Sequence, residues 1–252
     1  MKKINFFLSL VLSIILVTLP ACSSLPSQSE NGGLPSQTSG RIYLYGEKHG
    51  ITKILDKEFE LWHTYYHEQN MRHLFVELSY YTAEFLNLWM QSDNDDILEE
   101  IYMDWKGTMS YNQDVKEFYR KVKDECPETI FHGTDVGHQL DSTGERFLRY
   151  LKDNNLQESE QYSLASEAIE QGKYYYEHSD NKYREDKMAE NFRREYDRLN
   201  GESIMGIYGA AHTKLNASAY GTMLHPCMAK QLKKTYGKAI YSEDLTSLAK
   251  EK

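Results

Sequence analysis

Four short apolar runs, each closing on an acid, a histidine or a glycine-led polar turn, constrain this chain more than any other feature. Residues 42–45, 73–77, 129–132 and 203–208 are rich in β-branched and aromatic side chains and have the length of buried strands. Between them lie patterns of helical length and period: 53–70, then 80–91, 95–104 and 113–125, then 140–155, 158–177 and 181–200. Residues 238–241 read as a final strand. Strands alternating with helices predict an α/β fold, with a mostly parallel central sheet flanked by helices and a helical insertion. In such a sheet the strands end at one common edge, and ligands bind in the crevice outside it.

The residues at those ends are therefore the first candidates for chemistry. The first run closes on Gly46-Glu47-Lys48-His49-Gly50, the second on Glu77, the third on Gly133-Thr134-Asp135 and the fourth on Gly209-Ala210-Ala211-His212. If the chain stays extended from Glu47 to His49, a period of two puts both side chains on one face. A carboxylate and an imidazole presented together suit a base, a metal site or an oriented water. The small residues 209–211 leave room for a backbone or ligand to approach beside His212.

One helix adds to this set. Arg184, Met188 and Asn191 fall at i, i+4 and i+7 and share a face. Arg184 is placed to fix a carboxylate or stabilise a developing oxyanion, and Asn191 to hydrogen-bond the strand ends. Glu185, Lys187 and Glu190 read as the solvated side of the same helix. His63 and His67 sit one turn apart, but His-Thr-Tyr-Tyr-His lacks the glutamate that follows the first histidine in zinc-protease helices. These two read as surface or packing residues.

The first 40 residues stand apart in composition. Lys2 and Lys3 precede an apolar stretch over 4–19, and Leu19-Pro20-Ala21-Cys22 looks like a lipobox. The expectation is a lipoprotein signal peptide over 1–21, removed to leave Cys22 lipidated, and a membrane anchor on the extracytoplasmic side. Residues 22–40, with Leu-Pro-Ser-Gln at 25–28 and again at 34–37, read as the lipidated cysteine and a flexible tether. One α/β domain then runs over 41–252. The net charge of −9 leaves no basic stripe for phosphates, so nucleic acid is not an expected partner. Cys126 and Cys227 do not make a disulfide framework, and a bridge between them is not expected. The tyrosine clusters at 65–66, 80–81 and 174–176 read as half-buried helix faces with wet phenol tips.

Taken in order, Gly46-Glu47-x-His49, Val76-Glu77, Gly133-x-Asp135, Arg184-Glu-x-x-Met188-Ala189-x-Asn191 and Gly209-x-x-His212 resemble a known superfamily. It joins erythromycin esterases, ChaN-like haem-binding lipoproteins, TraB proteins and the Tiki metalloproteases. The Arg-x-x-x-Met-Ala-x-Asn stretch is similar to the esterase pattern, with Glu185 where those enzymes usually carry aspartate. The single residue between Glu47 and His49, and the lipoprotein leader, are more like the ChaN branch than the macrolide esterases.

The resemblance implies a hydrolytic or metal-assisted site built from Glu47, His49, Glu77, Asp135, Arg184 and His212. In a hydrolase, His49 would take a proton from a water held between it and Glu77, while His212 and Arg184 met the oxyanion of an ester or amide. In a metal variant, Glu47, His49 and His212 would hold a divalent ion such as Zn or Mn. The ChaN likeness carries a different implication, a lipoprotein that captures haem or metal without catalysis. Either way a small molecule or peptide would occupy the crevice.

Overall fold

The computed structural model describes residues 41–216 and 225–250. The leader, Cys22 and the tether over 1–40 lie outside the described residues. Among the described residues no helix is long and apolar enough to cross a membrane.

The chain alternates as the sequence predicts. Strand β1 (Ile42–Glu47) is followed by α1 (Thr52–Gln69) and β2 (His73–Ser79). Three helices then intervene, α2 (Tyr80–Met90), α3 (Asp96–Asp104) and α4 (Gln113–Glu125), before β3 (Ile130–Asp135). Helices α5 (Glu145–Asp153), α6 (Glu160–His178) and α7 (Asn181–Asp197) lead to β4 (Ile204–Gly209), and α8 (Met228–Tyr236) to β5 (Ile240–Asp244). The pattern read as one helix over 140–155 divides: Leu140–Gly144 is a π-helical turn, and α5 begins only at Glu145. Local chemistry sets several starts. The side chains of Asn112, Ser159 and Asp180 accept from backbone N–H groups in the first turns of α4, α6 and α7.

The five strands form one parallel sheet in the order β3-β2-β4-β1-β5. Period-two alternation splits their side chains between two cores. Tyr45, Leu74, Val76, Phe131, Met205 and Ile207 pack with α1 to α6. Ile42, Leu44, Phe75, Ile204, Tyr208 and Ile240 pack with α7 and α8. Covering both faces explains why the strands read as continuous apolar runs. Parallel strands also bring all their C-terminal ends to one edge.

One irregularity matters for that edge. β2 and β3 run in register to Val76 opposite Gly133, but the next pair is Ser79 opposite Asp135. β2 carries one extra residue there, a bulge that frees Glu77 and Leu78 from the ladder and re-aims them. Cys126 and Cys227 are buried and, among the described residues, not joined in a disulfide; Cys227 Sγ donates to the Lys214 carbonyl. The tyrosine expectation is only partly met: Tyr81 is fully buried, whereas Tyr176 is 55% exposed.

Candidate active site

Glu47, Glu77 and Asp135 stand at the ends of β1, β2 and β3, while His49 and His212 follow β1 and β4. Arg184 reaches them from α7, and it is the hub. Its Nη2 donates to Glu77 Oε1 at 2.7 Å, its Nε to Asp135 Oδ1 at 3.0 Å, and Nη2 again to Asp135 Oδ2 at 2.5 Å. One guanidinium thus grips two carboxylates in the forked geometry that arginine favours. Asp135 Oδ1 also accepts from the Val136 N–H. Through these bonds Arg184 positions both acids. Asn191 on the same face donates to the Thr134 carbonyl at the end of β3, as its spacing predicted.

Glu77 has a second set of partners. Its Oε2 accepts the Gly209 N–H at 2.5 Å, and its Oε1 lies 3.4 Å from His212 Nε2. Burial opposes the charge on Glu77, but His212 and Arg184 prevail and hold the carboxyl well below the usual range. Asp135, with no exposed side-chain surface, is likewise depressed: burial raises it, and Arg184 and His138 outweigh that. His212 is pinned on its other side, where Nδ1 lies 2.7 Å from Glu185 Oε1. Burial lowers its pKa, yet Glu77 and Glu185 lift it to about 10.

His49 is the member that faces the open crevice, with 41% of its side chain exposed against 13% for Glu47. Its Nδ1 is paired with Glu47 Oε1 at 2.8 Å, confirming that the two share a face. That hydrogen bond, offset in part by burial and aided by Glu77, raises His49 to about 9. His49 and Glu77 converge over Gly209. A Cβ there would stand 3.2 Å from both His49 Nε2 and Glu77 Oε2, so only glycine lets them meet without displacement.

Three residues join the site that the sequence reading left out. Glu185, read as solvated, has no exposed surface; besides His212 it accepts the Met228 N–H at 2.6 Å, at the start of α8. That corrects the helix-face assignment. The cue was its place beside Arg184, where the esterase pattern carries an aspartate. His138 Nε2 lies 2.9 Å from Asp135 Oδ2, and its Nδ1 is 2.5 Å from the Tyr176 hydroxyl. It stands three residues beyond the Gly133-x-Asp135 motif. Glu58, in α1, is 1% exposed, and its position four residues after Ile54 and four before Trp62 marks the buried stripe of that helix. His63 and His67 stay apart from the site: their rings lie 4.3 Å apart, tilted by 49°, and His67 Nε2 meets the Glu125 carbonyl.

Two adjoining spaces border the edge. An outer one is lined by His49, Glu77, Asp135, His138, Tyr176 and Arg184 among others. An inner one runs beneath His49 between Leu55, Glu58, Phe118 and Tyr119.

The donor set does not fit the metal expected from Glu47, His49 and His212. Both imidazoles are already paired with carboxylates, His49 Nδ1 with Glu47 and His212 Nδ1 with Glu185, and His212 Nε2 lies 3.4 Å from Glu77. Among the described residues no three His, Cys, Asp or Glu side chains are grouped to hold an ion.

No protein-family model matches the chain, and neither does any curated protein. Solved structures do. The erythromycin esterase EreC, as a mutant in its open conformation, aligns with a TM-score of 0.58 at 12% identity, over 81% of this chain and 69% of that one. A succinoglycan biosynthesis protein aligns at 0.59 and 14%, over 81% and 65%, and a Bacillus cereus protein at 0.58 and 12%, over 82% and 65%. This chain therefore spans about two thirds of the length of each. At such identities the likeness is one of fold, and the chain carries the α/β fold of an erythromycin esterase.

Proposed function

We propose that the protein is a hydrolase of an ester or amide, anchored through lipid on Cys22 at the extracytoplasmic face of the membrane. The observation that carries the reading is the placement of His49, exposed at the crevice and held on Nδ1 by Glu47, beside the ionised Glu77 above Gly209. The EreC likeness, through an esterase of the same fold, supports the reaction class.

The step follows from those groups. Glu77, kept ionised, orients a water by accepting one of its protons in a hydrogen bond. His49, in its neutral form, takes the other proton on Nε2 as the water oxygen bonds to the substrate carbonyl carbon. The imidazolium so formed is stabilised by Glu47. It then returns the proton to the leaving oxygen or nitrogen as that bond breaks. Arg184 and His212 hold Glu77 in place and balance its charge, so the oxyanion forms beside a carboxylate already neutralised by its partners. A small molecule or short peptide would bind across the two spaces, which share His49, Glu77, Leu78 and Ser110 as walls.

Turnover of a panel of nitrophenyl esters and amides tests this. Glu77→Gln and His49→Asn should each lower kcat/KM by about 10²-fold or more. If both leave every detected hydrolysis unchanged, the reading fails. Labelling with a palmitate analogue, lost in Cys22→Ala, tests the anchor; labelling unchanged in that variant, or absent from the parent, sinks it.

A further inference from the structure

The inner space beneath His49 holds a carboxyl that the hydrolytic step does not use. Glu58 projects from α1 into it, 1% exposed, and its Oε1 has no hydrogen-bond partner. A buried unpaired carboxyl oxygen is costly, and native interiors seldom keep one without a use. Glu47 and Glu77 line the same space, making three carboxyls, and among the described residues the only basic one in its walls is His49, already paired with Glu47. Leu55, Val76 and Ile207 supply apolar wall, and Phe118 and Tyr119 supply aromatic rings from α4.

We propose that this inner pocket is a binding site for an alkylammonium group, whose N–H donors meet Glu58 while its carbon stem lies on the apolar wall. A neutral hydroxyl would also satisfy Oε1, but it would leave Glu58 as the one wall carboxyl without a counter-charge among the described residues, since Glu47 pairs with His49 and Glu77 with Arg184 and His212. A cation answers both, and aromatic faces add to its attraction. Burial, with a contribution from Glu47, pushes the Glu58 carboxyl well above its usual value. The pocket shares His49 and Glu77 with the proposed hydrolytic site, but ammonium binding in it does not require hydrolysis.

The test is calorimetric titration of the full chain in detergent with n-butylammonium and with 1-butanol. Saturable binding of the ammonium, about tenfold or more tighter than the alcohol, is expected. Glu58→Gln should abolish that preference, whereas Glu60→Gln, an exposed neighbour paired with Lys57, should keep it. Equal binding of the two probes, no saturable binding, or a preference that survives in Glu58→Gln would overturn the proposal. If Glu58→Gln does not fold, the preference of the unaltered chain still decides. The titration detects no hydrolysis, so an ammonium-binding chain that cleaves nothing would retain the pocket and refute only the enzyme.

Discussion

Glu185 and His212 form a closed ion pair 2.7 Å long beneath the sheet edge, with side-chain exposures of 0% and 4%. Each Glu185 oxygen has one partner, His212 Nδ1 on Oε1 and the Met228 N–H on Oε2. The pair ties α7 to the start of α8 and sets the ring that flanks Glu77.

Glu185→Gln keeps the shape but leaves only one acceptor for two donors, since the amide nitrogen must face either the imidazolium or the Met228 N–H. Breaking a buried pair in this way should cost about 3–5 kcal/mol of stability. Urea denaturation at neutral pH measures it. A change within error would mean that the two donors find other acceptors.

Stability should fall on both sides of a plateau. The folded pKa of His212, about 10, lies above its ordinary 6.5, so its contribution is full below pH 6.5 and is lost as pH rises through about 10. Glu77 and Asp135 are depressed, so theirs is full above their ordinary values of 4.5 and 3.8 and is lost as pH falls below them. Unfolding free energy measured across pH should therefore be greatest between 4.5 and 6.5. A maximum above pH 8 would contradict the arrangement.

His49 acts as base only after losing its proton, so kcat/KM should rise with pH to a midpoint near 9. Glu47→Gln removes the hydrogen-bonded charge that contributes most to the raised value. The midpoint should then move down by about 1–3 units, with a lower plateau because the base is weaker. NMR titration of the His49 ring reads the same shift without turnover. A midpoint that stays in place would show that Glu47 does not set it.

Glu58→Leu should make the protein more stable, by about 1–3 kcal/mol, because it removes an oxygen buried without a partner. The denaturant midpoint reports it. Destabilisation would reveal a partner for the carboxyl.

Much of this molecule was legible in one dimension. The strands β1 to β4 were readable because parallel strands covered on both faces leave uninterrupted apolar runs; β5, at the sheet edge and largely exposed beyond Ile240, was read two residues early, over 238–241. Glu47, His49, Glu77, Asp135 and His212 were readable because a parallel sheet gathers strand ends at one edge. Glu185 was misread because α7 is polar on most of its surface, and nothing near residue 185 reveals that His212, 27 positions on, will cover it. Glu58 sat on an otherwise apolar stripe of α1, but that pattern does not tell whether a buried acid has a partner.

The sequence by itself therefore determined the alternation of elements, the fold class and the residues offered at the sheet's C-terminal edge. Those depend on short periods and on the covalent order of the chain. Only the tertiary structure decided which charge meets which. Arg184 joins Glu77 across 107 positions, and Glu77 reaches the Gly209 N–H across 132. Such contacts depend on strand order, on the bulge in β2 and on the side of the sheet that α7 packs against. They turn His212 and Arg184 into supports for Glu77 and leave His49 as the group that faces the crevice.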